Sequence, residues 1–563
     1  MALQILMFGV SRLSLLDAPN GSRRGSTLRL PQIQLLLLIV TMLILGNITT
    51  TWLGGAGDAN GLSEVGGESW RDRAPSSPSS SVDLSNSPEL AERSGSSVPI
   101  HVPLLTPAEA LPGGSGSVRF KPFASFELPV TNLPEAQRSF FHAGKALARQ
   151  PWIKAPTTTD ARDGLGPLYN ARSCLGCHAN GGRGSVPEQS DHPLFSAVLR
   201  LSVPGGDALI LGSTPDPVYG DQFQTQSIAL SHQLRGRIPG RDPKTDPEAP
   251  PEAQLFVDWI AKPYVYPDGE ARSLRYPKLR IEDLGYGELH TDARTSLRVA
   301  PPMHGLGLLE AVDQRSIDAL ADPHDRDGDG ISGRVNRVWD FETQRTVPGR
   351  FGWKANRASL RITTAAAFQA DVGISNPSFP SQPCTDYQRR CRRAPTGNNA
   401  DGYELPDELL DLTLGFVKNI GVPKARALDS QSTRGRQYFY QSGCAGCHQP
   451  SLTTAALYGK ESHLGTQQIW PYTDLLLHDM GSELADQRGD YLATGREWRT
   501  PPLWGLGLGK KVNGVTTLLH DGRARNIEEA VLWHGGEGRP SRDAFTALSK
   551  PNRDALIAFV RSL

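Results

Sequence analysis

Charge of one sign is missing from this sequence. Its 563 residues carry 59 basic and 59 acidic side chains, so nothing pulls it towards nucleic acid or an acidic partner. Long apolar runs are missing too. The longest, LLLLIVTMLIL at Leu35–Leu45, has eleven residues, short of the roughly 20 a membrane helix needs. Apolar residues overall are few, at 38%, while 58 glycines and 44 prolines imply much loop. Cysteine is scarce. Only six occur, and four of them fall in two five-residue stretches, CLGCH at Cys174–His178 and CAGCH at Cys444–His448.

C-x-x-C-H is the covalent haem pattern: two thiols bond to the porphyrin edge and the adjacent histidine ligates the iron. The alternatives, a redox dithiol or half a zinc site, do not call for the histidine. Two copies, 270 residues apart and each ending in His, point to two covalently bound haem c groups. Cys174 and Cys177 would carry haem 1 with His178 on its iron, and Cys444 and Cys447 would carry haem 2 with His448 on its iron.

The compartment follows. Arg23, Arg24 and Arg29 precede the Leu35–Leu45 run, and small residues follow at Gly54–Ala59, the order of a signal peptide. Residues 1–54 read as a signal peptide, with a start downstream of Met1, or as a retained N-terminal membrane anchor. Haem c is attached beyond the cytoplasmic membrane, so a periplasmic or exported protein is expected. Residues 55–115, rich in Ser, Gly and Pro and without hydrophobic periodicity, read as a disordered linker.

Helical patterning at Glu135–Leu147 precedes the first haem motif, and STRGRQYFYQSG precedes the second. PPMHGLGL in the first half repeats as PPLWGLGL in the second. Setting Trp353 against His520 places Ser359-Leu360 on Asn526-Ile527. The expected fold is therefore mainly α: two cytochrome c-like haem domains, residues 116–425 and 426–563. The first is enlarged by long loops and a β-rich insertion at about 195–290, where FSAVLRLSV, ALILGS and YVYPDGEARSLRY alternate like strands. RIPGRDPKTDPEAPPE inside it reads as surface loop. DRDGDGISGRVN at Asp325–Asn336 has the spacing of a calcium loop, with Asp325, Asp327, Asp329 and Asn336 as ligands. Asn336 replaces the usual bidentate Glu, which weakens the site; the alternative is a solvated Asp/Gly turn. Its role would be structural, near the haem 1 domain. The last two cysteines, Cys384 and Cys391, bracket CTDYQRRC and read as a short-loop disulfide or as two free thiols.

DGLGPLYNARSCLGCH, RVAPPMHGLGLLEAV, DGDGISGRVNRVWD, GRFGWKAN, PYTDLLLHDMG, GREWRTPPLWGLGL and LLHDGRARNIEEAVLWHGGE together resemble the bacterial di-haem c-type oxidoreductase family over about residues 120–563. That family is related to di-haem cytochrome c peroxidases, di-haem amine-dehydrogenase maturation enzymes and latex-cleaving di-haem oxygenases. The resemblance implies a second axial ligand just after the HDGRA helix, where peroxidases hold Met and maturation enzymes Tyr. Here the position is His534, with Met480 as its rival, so haem 2 would lie between His448 and His534. It also implies that Trp353 lies between the haems as an electron relay; a packing role is the alternative. At haem 1 the corresponding residues, Ala367 and Phe368, cannot ligate iron, so that haem would keep an open face.

An open face suits peroxide cleavage, which needs a group to move a proton between two oxygens. Di-haem peroxidases use a glutamate beyond the tryptophan, but no glutamate occurs between Trp353 and Glu404. Gln369, Asp371, His304 and Glu310 are the candidate acid/base groups, each with a hydrogen-bonding or ion-pairing role as its alternative. Three functions stay open: reduction of hydrogen peroxide with electrons entering through haem 2 from a small redox protein, oxidation of an organic substrate with dioxygen, and electron transfer alone.

Overall fold

The computed structural model describes residues 102–158, 162–205, 208–229 and 249–563. The expected signal peptide or anchor, the linker up to residue 101 and most of the Pro/Asp-rich loop lie outside the described residues. Among these no helix is long and apolar enough to cross a membrane.

Two helix pairs frame the haem motifs. Helix α1 (Glu135–Arg149) has Glu135 in its first turn and Arg149 in its last, matching the helix dipole. It buries Phe141, Gly144, Leu147 and Ala148 along one stripe. That stripe crosses α3 (Asp407–Lys418), which buries Leu410, Thr413, Phe416 and Val417. In the second half α4 (Ser430–Gln441), capped by Asp429, crosses α6 (Lys550–Ser562) in the same manner. Both crossings are closed by glycine: a Cβ on Gly144 would overlap the carbonyl oxygen of Leu412, and one on Gly435 that of Ala555.

The alignment of the halves holds locally. Helix α2 (Leu360–Val372) starts at Ser359, whose side chain accepts from Ile362 N. Helix α5 (Ile527–Leu532) starts at Asn526, whose side chain accepts from Glu529 N. The PPxxGLGL repeats meet face to face: a Cβ on Gly305 would strike the Trp504 ring, and one on Gly505 would lie 2.8 Å from His304 Nε2.

The mainly α expectation is corrected. Helices hold 30% of the residues and strands 18%, the strands forming several small sheets. Strands do occur in the expected insertion, although ALILGS forms a turn: β1 (Ala197–Ser202) pairs antiparallel with β4 (Arg294–Val299) just beyond it, and β2 (Gln254–Val265) with β3 (Ala271–Glu282) over twelve residues. Short ladders also occur outside it, including β5 (Leu477–Asp479) with β6 (Glu497–Arg499). Glycine and proline cut the chain too often for helices to dominate. The described residues form one compact unit. Its largest apolar cluster joins Leu199, Leu297 and Trp353 of the first half to Phe439, Trp498 and Phe559 of the second.

Candidate functional site

The first motif lies on one helical turn, Cys174–Cys177, with both thiols unpaired. Burial, and then the charge of Asp371, push both thiols up to about 12. His178 Nδ1 lies 2.6 Å from the carbonyl oxygen of Pro301. A carbonyl only accepts, so Nδ1 carries the proton and Nε2 has the free lone pair. Burial also lowers the His178 pKa, which keeps the ring neutral.

The second motif repeats this arrangement. Cys444–Gly446 forms a 3-10 turn, and Cys444 and Cys447 are unpaired. His448 Nδ1 lies 3.0 Å from Tyr472 O, and its pKa is lowered to about 4, by burial first and then by the neighbouring charge of His534 among others. Helix α5 stops at Leu532, and His534 follows with Nδ1 2.7 Å from Ala530 O. Met480 approaches the same spot: a Cβ on Gly538 would lie 3.1 Å from His534 Cδ2 and 3.2 Å from Met480 Cε.

Trp353 is buried, donates from Nε1 to Val299 O at 2.9 Å and lies 5.0 Å below the Arg183 guanidinium. Its carbonyl accepts from Arg499 N, so it touches both halves. Phe368 packs with Leu147, Trp152 and Leu165 in a buried core, while Ala367 is half-buried beside it. Of the four acid/base candidates, Asp371 is the one whose charge acts on both thiols of the first motif. Burial raises its pKa, against a hydrogen bond from Gln222 and the charges of Arg200 and Arg357.

The other three have partners of their own. Gln369 donates to Ser381 O at 3.3 Å. His304 stacks on Phe126 at 3.9 Å and bonds Trp504 O. Glu310 accepts from Leu360 N at the start of α2 and pairs with Lys418 at 2.8 Å. In each case a distant backbone group claims the side chain.

The acidic loop brings Asp325, Asp327 and Asp329 within 4.8 Å of one another. Asn336 does not join them. Its amide donates to Lys354 O and Asp490 O and accepts from Arg337 N and Leu492 N, so it knits the core. The loop also rests on the second motif, with Ile331 against Gly446. Cys384 and Cys391 are joined as a disulfide, Cα to Cα 5.7 Å.

Sequence reasoning missed two groups. His520 stacks on Trp498 at 3.6 Å, where its alignment with Trp353 was the available signal. His478 sits between two carboxylates, and LLLHDMG, which directed attention to Met480, also contained it.

A family model described as "Di-haem oxidoreductase, putative peroxidase" matches residues 110–563. The chain belongs to the di-haem oxidoreductase family. Haem is thus the cofactor of this oxidoreductase, and oxidoreduction its class of reaction. No curated protein matches. Among solved structures, hydrazine synthase of Kuenenia stuttgartiensis is similar at 16% identity, covering 33% of this chain and 65% of that one, with a TM-score of 0.20. A likeness that low carries no argument about fold.

The residues of this di-haem oxidoreductase fit the cofactor. Each motif sets two unpaired thiols one helical turn apart and a histidine directly after them. Among the described residues, His178, His448 and His534 each tie Nδ1 to a backbone carbonyl and make no hydrogen bond through Nε2. This is the orientation an iron-ligating imidazole takes from its surroundings.

Proposed function

We propose that this di-haem oxidoreductase is an exported, peroxidase-like enzyme with covalent haems, one open and one closed. Cys174 and Cys177 would attach haem 1, with His178 to ligate its iron; Cys444 and Cys447 would attach haem 2, with His448 and His534 to ligate its iron. The observation that carries this reading is the pairing of His448 with His534, whose counterpart in the first half is Ala367. The two N-caps, Ser359 and Asn526, set that correspondence. Alanine has no donor atom, and among the described residues no second histidine acts on His178 as His534 acts on His448.

Bound haem supplies an iron that passes single electrons and binds small oxygen species where a position is free. The protein supplies the rest. The backbone carbonyls of Pro301, Tyr472 and Ala530 fix the three imidazole rings. His534 would exclude outside ligands from haem 2, which would then supply electron transfer from a small redox-protein donor. Asp371, with its pKa raised by burial, is the group able to hold a proton beside the first motif. Trp353, between the halves, lies on the electron route.

Electron paramagnetic resonance of the ferric holoprotein should show one high-spin and one low-spin iron. His534→Ala should convert the low-spin signal and let cyanide bind at both haems. His178→Gly should abolish peroxide turnover, whereas His448→Gly should slow it by removing the electron supply. Two six-coordinate irons that ignore cyanide would mark an electron carrier, and oxygen uptake with an organic substrate in place of peroxide turnover would mark an oxygenase.

A further inference from the structure

His478 stands on β5, 2% exposed on its side chain, and the proposed function gives it no part. Nε2 faces Asp474 Oδ2 at 2.8 Å, and Nδ1 faces Glu537 Oε2 at 2.7 Å. Carboxylate oxygens only accept, so both ring nitrogens carry protons and the ring is a buried cation. Burial opposes that charge, and hydrogen bonds to Asp474, Cys447 and Glu537 outweigh it, raising its pKa well above the usual value. Cys447, Asp474 and His478 bring donor atoms within 4.8 Å of one another. With both ring nitrogens already engaged, the trio forms a proton bridge and not an ion site.

Each end of this bridge is tied to one axial-ligand segment. Asp474 N donates to Cys447 O at 3.1 Å, the residue before His448. Tyr472, two residues before Asp474, holds the His448 ring. At the other end Glu537 lies three residues beyond His534. Its carboxylate accepts from Asp479 N at 3.1 Å, Ser332 N at 3.0 Å and Ser332 Oγ at 2.7 Å. The turn between His534 and Arg539 reads Gly535-Gly536-Glu537-Gly538. Three glycines in four residues give it little stiffness of its own, so its placement depends on what Glu537 grips.

We propose that His478 is a positioning residue: the Asp474–His478–Glu537 bridge holds His534 opposite His448 and so keeps the second haem closed to outside ligands. This rests on the reading of His448 and His534 as the two axial ligands. A tethered ligand competes through the fraction of time it is in place, so loosening the tether raises the apparent affinity of an external one. The acidic loop shares the bridge through Ser332, which links a segment of the first half to the ligand of haem 2.

The test uses purified ferric holoprotein, read by electron paramagnetic resonance and by titration with free imidazole. His478→Ala and Glu537→Gln should leave the haem 1 signal unchanged. Both should weaken the low-spin signal of haem 2 and tighten imidazole binding there by about tenfold or more. Ser332→Ala should move the same readings in the same direction by less. If His478→Ala does not fold, the two milder variants decide. A folded Glu537→Gln protein with the spin state and imidazole affinity of the wild type overturns the bridge. A His534→Ala protein indistinguishable from the wild type overturns instead the axial reading beneath it.

Discussion

A histidine buried without its charge is a liability in acid, and His304 is one. Burial pushes its pKa down to about 4, while Trp504 O holds Nε2 and Nδ1 finds no partner. The unfolded chain takes up a proton near the ordinary value of about 6.5. Between pH 6.5 and 4 the unfolded state therefore binds a proton that the folded state refuses, and stability falls as pH falls. Above pH 6.5 this residue adds no pH dependence. His304→Gln keeps a donor for Trp504 O and should flatten the acid limb by one proton, a difference on the order of 3 kcal/mol at pH 4. Denaturant melts of both proteins from pH 4 to 7 measure it; parallel limbs would refute it. At this scale the sequence was most legible where chemistry fixes spacing. Covalent attachment of haem c calls for Cys-x-x-Cys-His, so Cys174, His178, Cys444 and His448 stood out as candidates in the sequence. His304, Glu310 and Asn336 could not be placed, because their partners, Trp504, Lys418 and Asp490, arrive from far along the chain.

The elements are packed by backbone contact as much as by side chains. At both helix crossings a glycine faces a carbonyl of the partner helix, and a methyl group would overlap it. Gly144→Ala or Gly435→Ala must push the paired helices apart. Each should cost about 1–3 kcal/mol by overpacking, although alanine is the better helix former. Thermal melts should show a fall for both, whereas Ala143→Gly, on an exposed site of α1, should lose only the roughly 1 kcal/mol of helix propensity. Helix α1 was legible because four buried positions recur with helical period. Part of the β2–β3 pair was legible because YVYPDGEARSLRY alternates and carries turn residues. Ladders of two to four residues, such as Leu477–Asp479 with Glu497–Arg499, are too short to show a period, and they shifted the fold away from mainly α.

The molecule as a whole is held by charge buried where its halves meet. Lys354 and Arg298 come from the first half; Asp486, Arg488 and Asp490 come from the second. Lys354 Nζ lies 2.9 Å from Asp486 Oδ1 and also donates to the carbonyls of Arg488 and Thr494. Arg298 reaches Asp490 at 2.6 Å and Asp486 at 3.5 Å, and Arg488 pairs with Asp490. No sequence pattern announced this network, since Arg298 and Lys354 lie far along the chain from Asp486, Arg488 and Asp490 and each alone reads as a surface charge. Burial lowers the Lys354 pKa to about 8 against the pull of Asp486, so near neutral pH the ion pair is intact but strained by desolvation. Removing the acid strands the cations. Asp486→Ala leaves Lys354 and Arg298 short of a counter-charge in a dry interior, which costs about 3–5 kcal/mol. Because the largest apolar cluster contains residues of both halves, the loss cannot stay local. The variant should melt in a single transition, on the order of 5 °C below the wild type. Haem absorbance and far-ultraviolet circular dichroism should report the same midpoint. Two separated transitions would show that the halves fold independently and that the shared network does not couple them.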